Sequence, residues 1–191
     1  MHSHADPHRP VYLPDLQRDE ILRLVPGQTG EVTTLAAFAS IPEIEALGWP
    51  LDVVDQWLYE HLPLDEFLCE YVAVDLSRVR WSREELSTEV LEVVPTGKGG
   101  ADYLAQEAPD YHGHWIKVRG GRVVRAWEEQ GTWLRAPILL DRGCFGGPSG
   151  ALQLVEGRTR VGVMRGRLRD GLNVAPQHTV WIGRPALDPT P

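Results

Sequence analysis

The sequence predicts an α+β protein, a mixed sheet with flanking helices that carries a helical N-terminal extension. Three observations lead there. At 191 residues the chain is about one and a half ordinary domains long, which suits one compact domain plus an appendage. The charge changes character near Tyr71: residues 1–70 hold three Arg and thirteen acids, whereas residues 71–191 hold sixteen basic groups against fourteen acids. Beyond that point short apolar runs of strand type alternate with helix signals. A hydrophobic content of 42% with seven Trp supplies material for a core and excludes wholesale disorder.

The elements follow in chain order. Residues 1–14 are polar and proline-rich and read as a flexible arm; with no Cys nearby and no helical spacing, His2, His4 and His8 read as a solvated tail rather than a metal site. Residues 15–70 form the helical region. Leu16, Ile21, Leu22 and Leu24 behind Asp15 make a short helix closed by Pro26 and Gly27. Pro50 to His61 is a second, with Pro50 in the first turn, Asp52 and Asp55 near the positive end of the dipole, and Leu51, Val54, Trp57 and Leu58 in one stripe. Residues 62–71 add another apolar, acidic piece.

The α+β domain is expected over residues 71–184, with 185–191 as a tail. Tyr71 to Leu76 reads as a β-rich run that continues through Trp81. Ser82 and Glu85 then have capping-box spacing ahead of Leu86, Val90 and Leu91, which predicts a helix from Ser82. Pro95 to Gly100 breaks the chain; its Lys98 lacks the spacing of a Walker loop and the stretch reads as a plain loop. Gly120-Gly121 is either a hairpin turn or the break before a helix that ends at Gly131. Pro137 to Asp141 and Leu152 to Val155 are continuous apolar runs of buried-strand type, and His178 to Gly183 is a last strand.

The chemistry concentrates after Leu152. Residues 142–184 hold seven Arg and only Glu156 and Asp170 as acids, which marks that stretch for an anion. A buried strand delivers the chain to Gly157, and Arg158, Thr159 and Arg160 open the next element. If that element is a helix, its first N–H groups and dipole meet an anion and the guanidinium forks add paired bonds. The competing reading makes Glu156-Gly157 a turn between strands, with Thr159, Val161 and Val163 alternating.

This order of elements, with Leu154-Val155-Glu156-Gly157-Arg158-Thr159-Arg160 before a closing Val-Trp-Ile strand, resembles the ParB/sulfiredoxin superfamily over roughly residues 72–184, interrupted by an extra segment near 95–125. The resemblance implies a Gly-x-x-Arg box, Gly157 to Arg160, that holds nucleotide phosphates at a helix start, with ATP or CTP and Mg²⁺ as the implied cofactor. Arg158 stands where sulfiredoxin-like members carry a catalytic Cys, and Val163 where ParB proteins carry an Ala. A downstream Glu-Asn-x-x-Arg motif and a DNA-reading helix-turn-helix are both missing, so neither sulfinic-acid reduction nor chromosome-partition clamping is expected. What survives is a nucleotide or small phosphorylated ligand, with phosphotransfer or nucleotide hydrolysis as the admissible chemistry. That chemistry needs a carboxylate to orient a hydroxyl; Glu156, Glu84 and Glu85 are the candidates, Glu156 foremost, and no metal ligand is assigned.

Two other classes stand beside this one. Gly147-Pro148-Ser149-Gly150 faintly resembles the nucleophile segment of trypsin-like serine hydrolases, with Ser149 attacking, Cys144 as a substitute and His61 as the histidine that lies upstream inside a helix. The acidic front alternatively docks a basic protein, as in an adaptor or immunity protein without chemistry. His112 and His114, read as one face of an extended chain, could chelate a metal with Asp110, although an exposed loop is the simpler reading. His178 reads as a structural histidine, and Trp115, Trp127, Trp133 and Trp181 as core or lid rather than a base-stacking platform. No apolar run reaches the roughly 20 residues of a membrane helix, the first residues lack signal-peptide character, and only Cys69 and Cys144 are present. A cytoplasmic protein with no membrane and no direct DNA contact is therefore expected.

Overall fold

The computed structural model describes residues 9–26, 34–97 and 103–186. The expected arm up to residue 8, Gly27, Lys98 to Gly100 and the tail from residue 187 lie outside them. The chain divides into two compact units, one of residues 1–81, 142–150 and 184–191, the other of residues 82–141 and 151–183.

The first unit is built from short helices: a 3₁₀ turn Leu13–Leu16, then α1 (Asp19–Leu22), α2 (Leu35–Ala39), α3 (Pro42–Glu45), α4 (Leu51–Val53) and α5 (Asp65–Tyr71). Local chemistry starts them. Thr34 Oγ1 accepts from the Ala37 amide at 3.2 Å at the head of α2, and prolines open the Leu13–Leu16 turn and α3. After Val53 the backbone continues as a π-helix, Val54–Tyr59. The buried face there is Val53, Val54, Trp57 and Leu58, so three residues of the expected stripe point inward while Leu51 is 55% exposed. The wide π turn shifts the apolar face away from the first residue of the helix.

Two segments depart from the sequence expectation. The run from Tyr71 to Leu76 is not a strand: α5 extends to Tyr71 and a 3₁₀ turn, Leu76–Arg78, follows. The cause is Asp75, whose carboxylate accepts from the Val11 amide at 3.2 Å, the Ser77 amide at 3.1 Å and the Ser77 hydroxyl at 2.6 Å. That local turn outcompetes a ladder. Nor does a helix start at Ser82. Strand β1 is Val79–Ser87, and Arg83 and Glu85 are exposed while Ser82, Glu84 and Leu86 are half-buried, a period of two. The Ser82 hydroxyl donates to the Glu84 carboxylate, and the helix begins only at Thr88, as α6 (Thr88–Val93).

The second unit holds α7 (Tyr103–Glu107), α8 (His112–Val118), α9 (Gly121–Arg125) and the long α10 (Arg158–Arg169). Gly120-Gly121 is the break before a helix, not a hairpin: α9 runs on as a π-helix, Ala126–Gln130, closed by Gly131 at φ 67°. With β2 (Ile138–Asp141), β3 (Leu152–Glu156) and β4 (Gln177–Pro185) the sheet has the order β1-β4-β2-β3. Strand β2 pairs antiparallel with β3, Leu139 facing Leu154, and parallel with β4, Ile138 facing Trp181. All four residues of β2 are buried, as its continuous apolar run requires. The protein is thus of mixed α/β type around a four-stranded mixed sheet. Leu139, Leu154, Val161, Met164 and Ile182 form its core with Trp127 and Trp133.

Candidate functional site

The turn after β3 is the place where the sequence concentrates its chemistry, and the helical alternative holds there. Gln153, Leu154 and Val155 are buried, Gly157 takes φ 96° and ψ 22°, and α10 starts at Arg158. Glycine is required at 157 for two reasons. The positive φ is a left-handed conformation, and a Cβ would overlap Pro137 Cβ and lie 3.0 Å from Pro137 Cα. Gly157 is therefore where the strand–helix corner passes tightly against the residue before β2. Having no side chain, it caps nothing: the first intrahelical bond runs from the Val161 amide to Gly157 O at 3.0 Å, and the first-turn amides are left without a side-chain cap.

Around this turn the side chains are half-buried and engaged. Arg160 donates through NH2 to Glu156 Oε1 at 3.0 Å, with both side chains 22% exposed, and through NH1 to Arg135 O at 3.0 Å. Arg158 Nε donates to Thr96 O at 3.1 Å, while Pro95 O accepts from the Leu154 amide at 2.8 Å. The segment 95–97 is thereby tied to β3 and to the helix start. Glu156, Gly157, Arg158, Thr159 and Arg160 are consecutive and share this corner. Its donors suit a phosphate, since three amides at the positive end of a twelve-residue helix are joined by two guanidinium groups. Glu156, the carboxylate beside this corner, is paired with Arg160. Glu84 and Glu85 are not brought to it: they stand on β1, at the opposite edge of the sheet from β3.

The remaining candidates have other surroundings. Ser149 lies in an exposed stretch, and among the described residues no hydrogen bond joins it to a histidine. His61 packs its ring against Phe67. His112 and His114 sit in α8, not in an extended chain, so the expected shared face is lost. His112 Nε2 meets Asp170 Oδ2 at 3.0 Å, and Arg169 binds Asp170 at 2.9 Å and Asp110 at 2.6 Å. These hydrogen bonds to Asp170 and Asp110 raise the Arg169 pKa, and Arg169 followed by His112 lowers that of Asp170. Asp110 and His112 thus belong to an ion network, and among the described residues no group of three His, Cys, Asp or Glu is placed to hold a metal.

His178 is buried as the sequence implies, its Nδ1 2.7 Å from Thr132 Oγ1 and its Nε2 3.2 Å from Thr88 Oγ1, with the Trp133 ring 4.5 Å away. Burial pulls its pKa below the ordinary value against the opposing pull of Glu85 and the Ala175 backbone. Trp127 and Trp133 are core residues.

The first unit contains a feature that the sequence reading misses. A cavity of about 440 Å³ is lined by Trp49, Pro50, Val79, Arg80 and Trp81, among others. No spacing pattern links Trp49 to Trp81; the seven Trp of the chain are the one signal that pointed toward such a cluster. Comparison with protein-family models, with curated proteins and with solved structures found no match.

Proposed function

We propose that this protein is a nucleotide- or phosphate-binding protein with a ParB/sulfiredoxin-like domain, and that the corner Gly157 to Arg160 receives the phosphates. One observation carries the reading: an apolar strand ends in a left-handed glycine, and the helix that follows opens without a side-chain cap and with Arg158 and Arg160 in its first turn. The ligand is ATP or CTP with Mg²⁺, held by the first-turn amides, Thr159 and the two guanidinium groups. Glu156 is the group that orients an attacking hydroxyl if phosphotransfer or nucleotide hydrolysis follows. The protein works in the cytoplasm, where its two free thiols stay reduced and nucleotides are at hand.

A second reading, a binding module without turnover, is favoured by the bonds from Arg158 to Thr96 O and from Arg160 to Arg135 O and Glu156. These make the box a structural clamp as well. In this reading the acidic residues 1–70 dock a basic protein.

Thermal unfolding with ATP or CTP plus MgCl₂ separates the two. A binder gains about 5–10 °C at a concentration about a hundredfold above Kd. Arg160→Lys keeps the charge but loses the fork, and at least half of the gain disappears while the ligand-free Tm is read separately. No gain with either nucleotide overturns the nucleotide reading and leaves the binding module.

A further inference from the structure

We propose that the cavity of the first unit is a binding site for a small planar aromatic anion, a carboxylate such as an arenecarboxylic acid, distinct from the phosphate corner. Its walls are flat and rigid. Trp49 and Trp81 meet edge to face, with ring centroids 5.3 Å apart and planes at 74°, and Trp49 stacks on Trp57 at 5.6 Å and 22°. Trp57 closes the triad on Trp81 at 5.8 Å and 72°. Trp57 is fully buried and Trp49 is 9% exposed, so the rings that face the cavity are held from behind. They set aromatic rings at fixed angles beside an open cleft whose lining is more polar than apolar, which suits a flat partner that carries a polar group.

The polar side of the cavity selects the charge. Arg80 lines it and donates through Nη1 to Ser77 O at 2.9 Å and Val79 O at 3.3 Å. Both partners are carbonyls, and among the described residues no carboxylate pairs with this guanidinium. Nε and NH2 thus offer a two-pronged donor that matches a carboxylate. An unpaired cation beside an aromatic wall is the more telling because residues 1–70 hold thirteen acids against three Arg, so carboxylates are abundant in the unit and none neutralises Arg80.

A second observation points the same way. The indole N–H groups of Trp49, Trp57 and Trp81 are all buried and have no hydrogen-bond acceptor. Buried donors of this kind are costly, and two of the three belong to tryptophans that line the cavity, Trp49 and Trp81, which marks a place where stability is not the sole requirement. A volume of about 440 Å³ falls within the range of small-molecule clefts and accommodates a bicyclic ring with one acid group.

The test uses the full chain labelled with ¹⁵N, in which each Trp gives one indole N–H signal, and three probes: naphthalene-2-carboxylate, its neutral carboxamide, and cyclohexanecarboxylate. Naphthalene-2-carboxylate is expected to shift the indole signals of Trp49 and Trp81 saturably. The carboxamide, which lacks the charge, and the cyclohexane acid, which lacks the flat ring, bind at least about tenfold more weakly. Arg80→Gln, an exposed strand position whose fold the rest of the spectrum reports, lowers carboxylate affinity to that of the carboxamide. Trp81→Phe retains weakened binding. The proposal is overturned if no saturable shift occurs at millimolar probe, if the carboxamide binds as well as the acid, or if Arg80→Gln binds like the parent protein.

Discussion

Gly157 shows how one residue joins the fold to the candidate site. It is needed for a left-handed φ of 96° and for the close pass of the backbone against Pro137. Both requirements fail together in Gly157→Ala, which strains the backbone and forces a Cβ onto a buried proline. A loss of about 2–4 kcal/mol is expected, larger than a Gly→Ala change in relaxed backbone and of opposite sign. Urea unfolding monitored by tryptophan fluorescence reads it directly; a change below about 1 kcal/mol would show that the corner relaxes freely. The sequence alone marks Gly157 as special through its box, but the reason lies in Pro137, which no local pattern connects to it. Arg160 is comparable: its place in the box is legible, whereas its bond to Arg135 O comes from the tertiary fold.

At the level of elements, what was readable depended on whether local signals had competitors. Strands β2 and β3 were legible because four and five residues of nearly unbroken apolar character between turn signals admit little else. Helix α10 was ambiguous, since Val161-Gly162-Val163 suits a helix poorly. Its helicity is settled by packing: Gly166 faces Pro109 so closely that a Cβ would lie 2.8 Å from Pro109 Cα, and Val161, Val163 and Met164 enter the core. The strand expected over Tyr71 to Leu76 failed because Asp75 gathers three donors, and the helix expected from Ser82 failed because spacing of Ser to Glu by three is not unique to a cap. His178 pins β4 to α6 and to the segment after Gly131 through Thr88 and Thr132. Burial lowers its pKa, so below the ordinary imidazole value of about 6.5 the unfolded chain takes up a proton that the folded protein refuses. Stability therefore falls as pH drops from about 6.5 toward the lower folded value and is unaffected by this group above it. Urea midpoints at pH 7.5 and 5.5 should differ more in the parent than in His178→Gln; equal differences would remove the histidine from the account.

Across the whole molecule the charge pattern bears on the kind of anion that the proposed site would take. The formal net charge is −8, and the seven Arg within residues 142–184 invite comparison with a nucleic-acid face. In α10, however, the guanidinium groups are engaged by the chain's own acceptors: Arg165 by Leu91 O and Val94 O and Arg167 by Glu128 and Trp127 O, with Arg169 at the surface paired to Asp110 and Asp170. Arg167 is 2% exposed, as far from a solvated basic stripe as a charge can be. Helix α10 therefore spends these charges on holding α6, α8 and the segment around Glu128, and leaves the proposed corner at Gly157 to Arg160 rather than a broad cationic stripe. A ligand bound at such a corner releases few counterions, so nucleotide affinity should fall by less than about tenfold between 50 and 200 mM salt, whereas contact with 6–10 phosphates of a duplex would cost about 10³–10⁵ over the same range. Fluorescence anisotropy of a labelled nucleotide across that salt series, with random duplex DNA as competitor, measures both quantities. A loss of a thousandfold, together with displacement by the duplex, would mean that the arginines of α10 leave their internal partners and act as one surface.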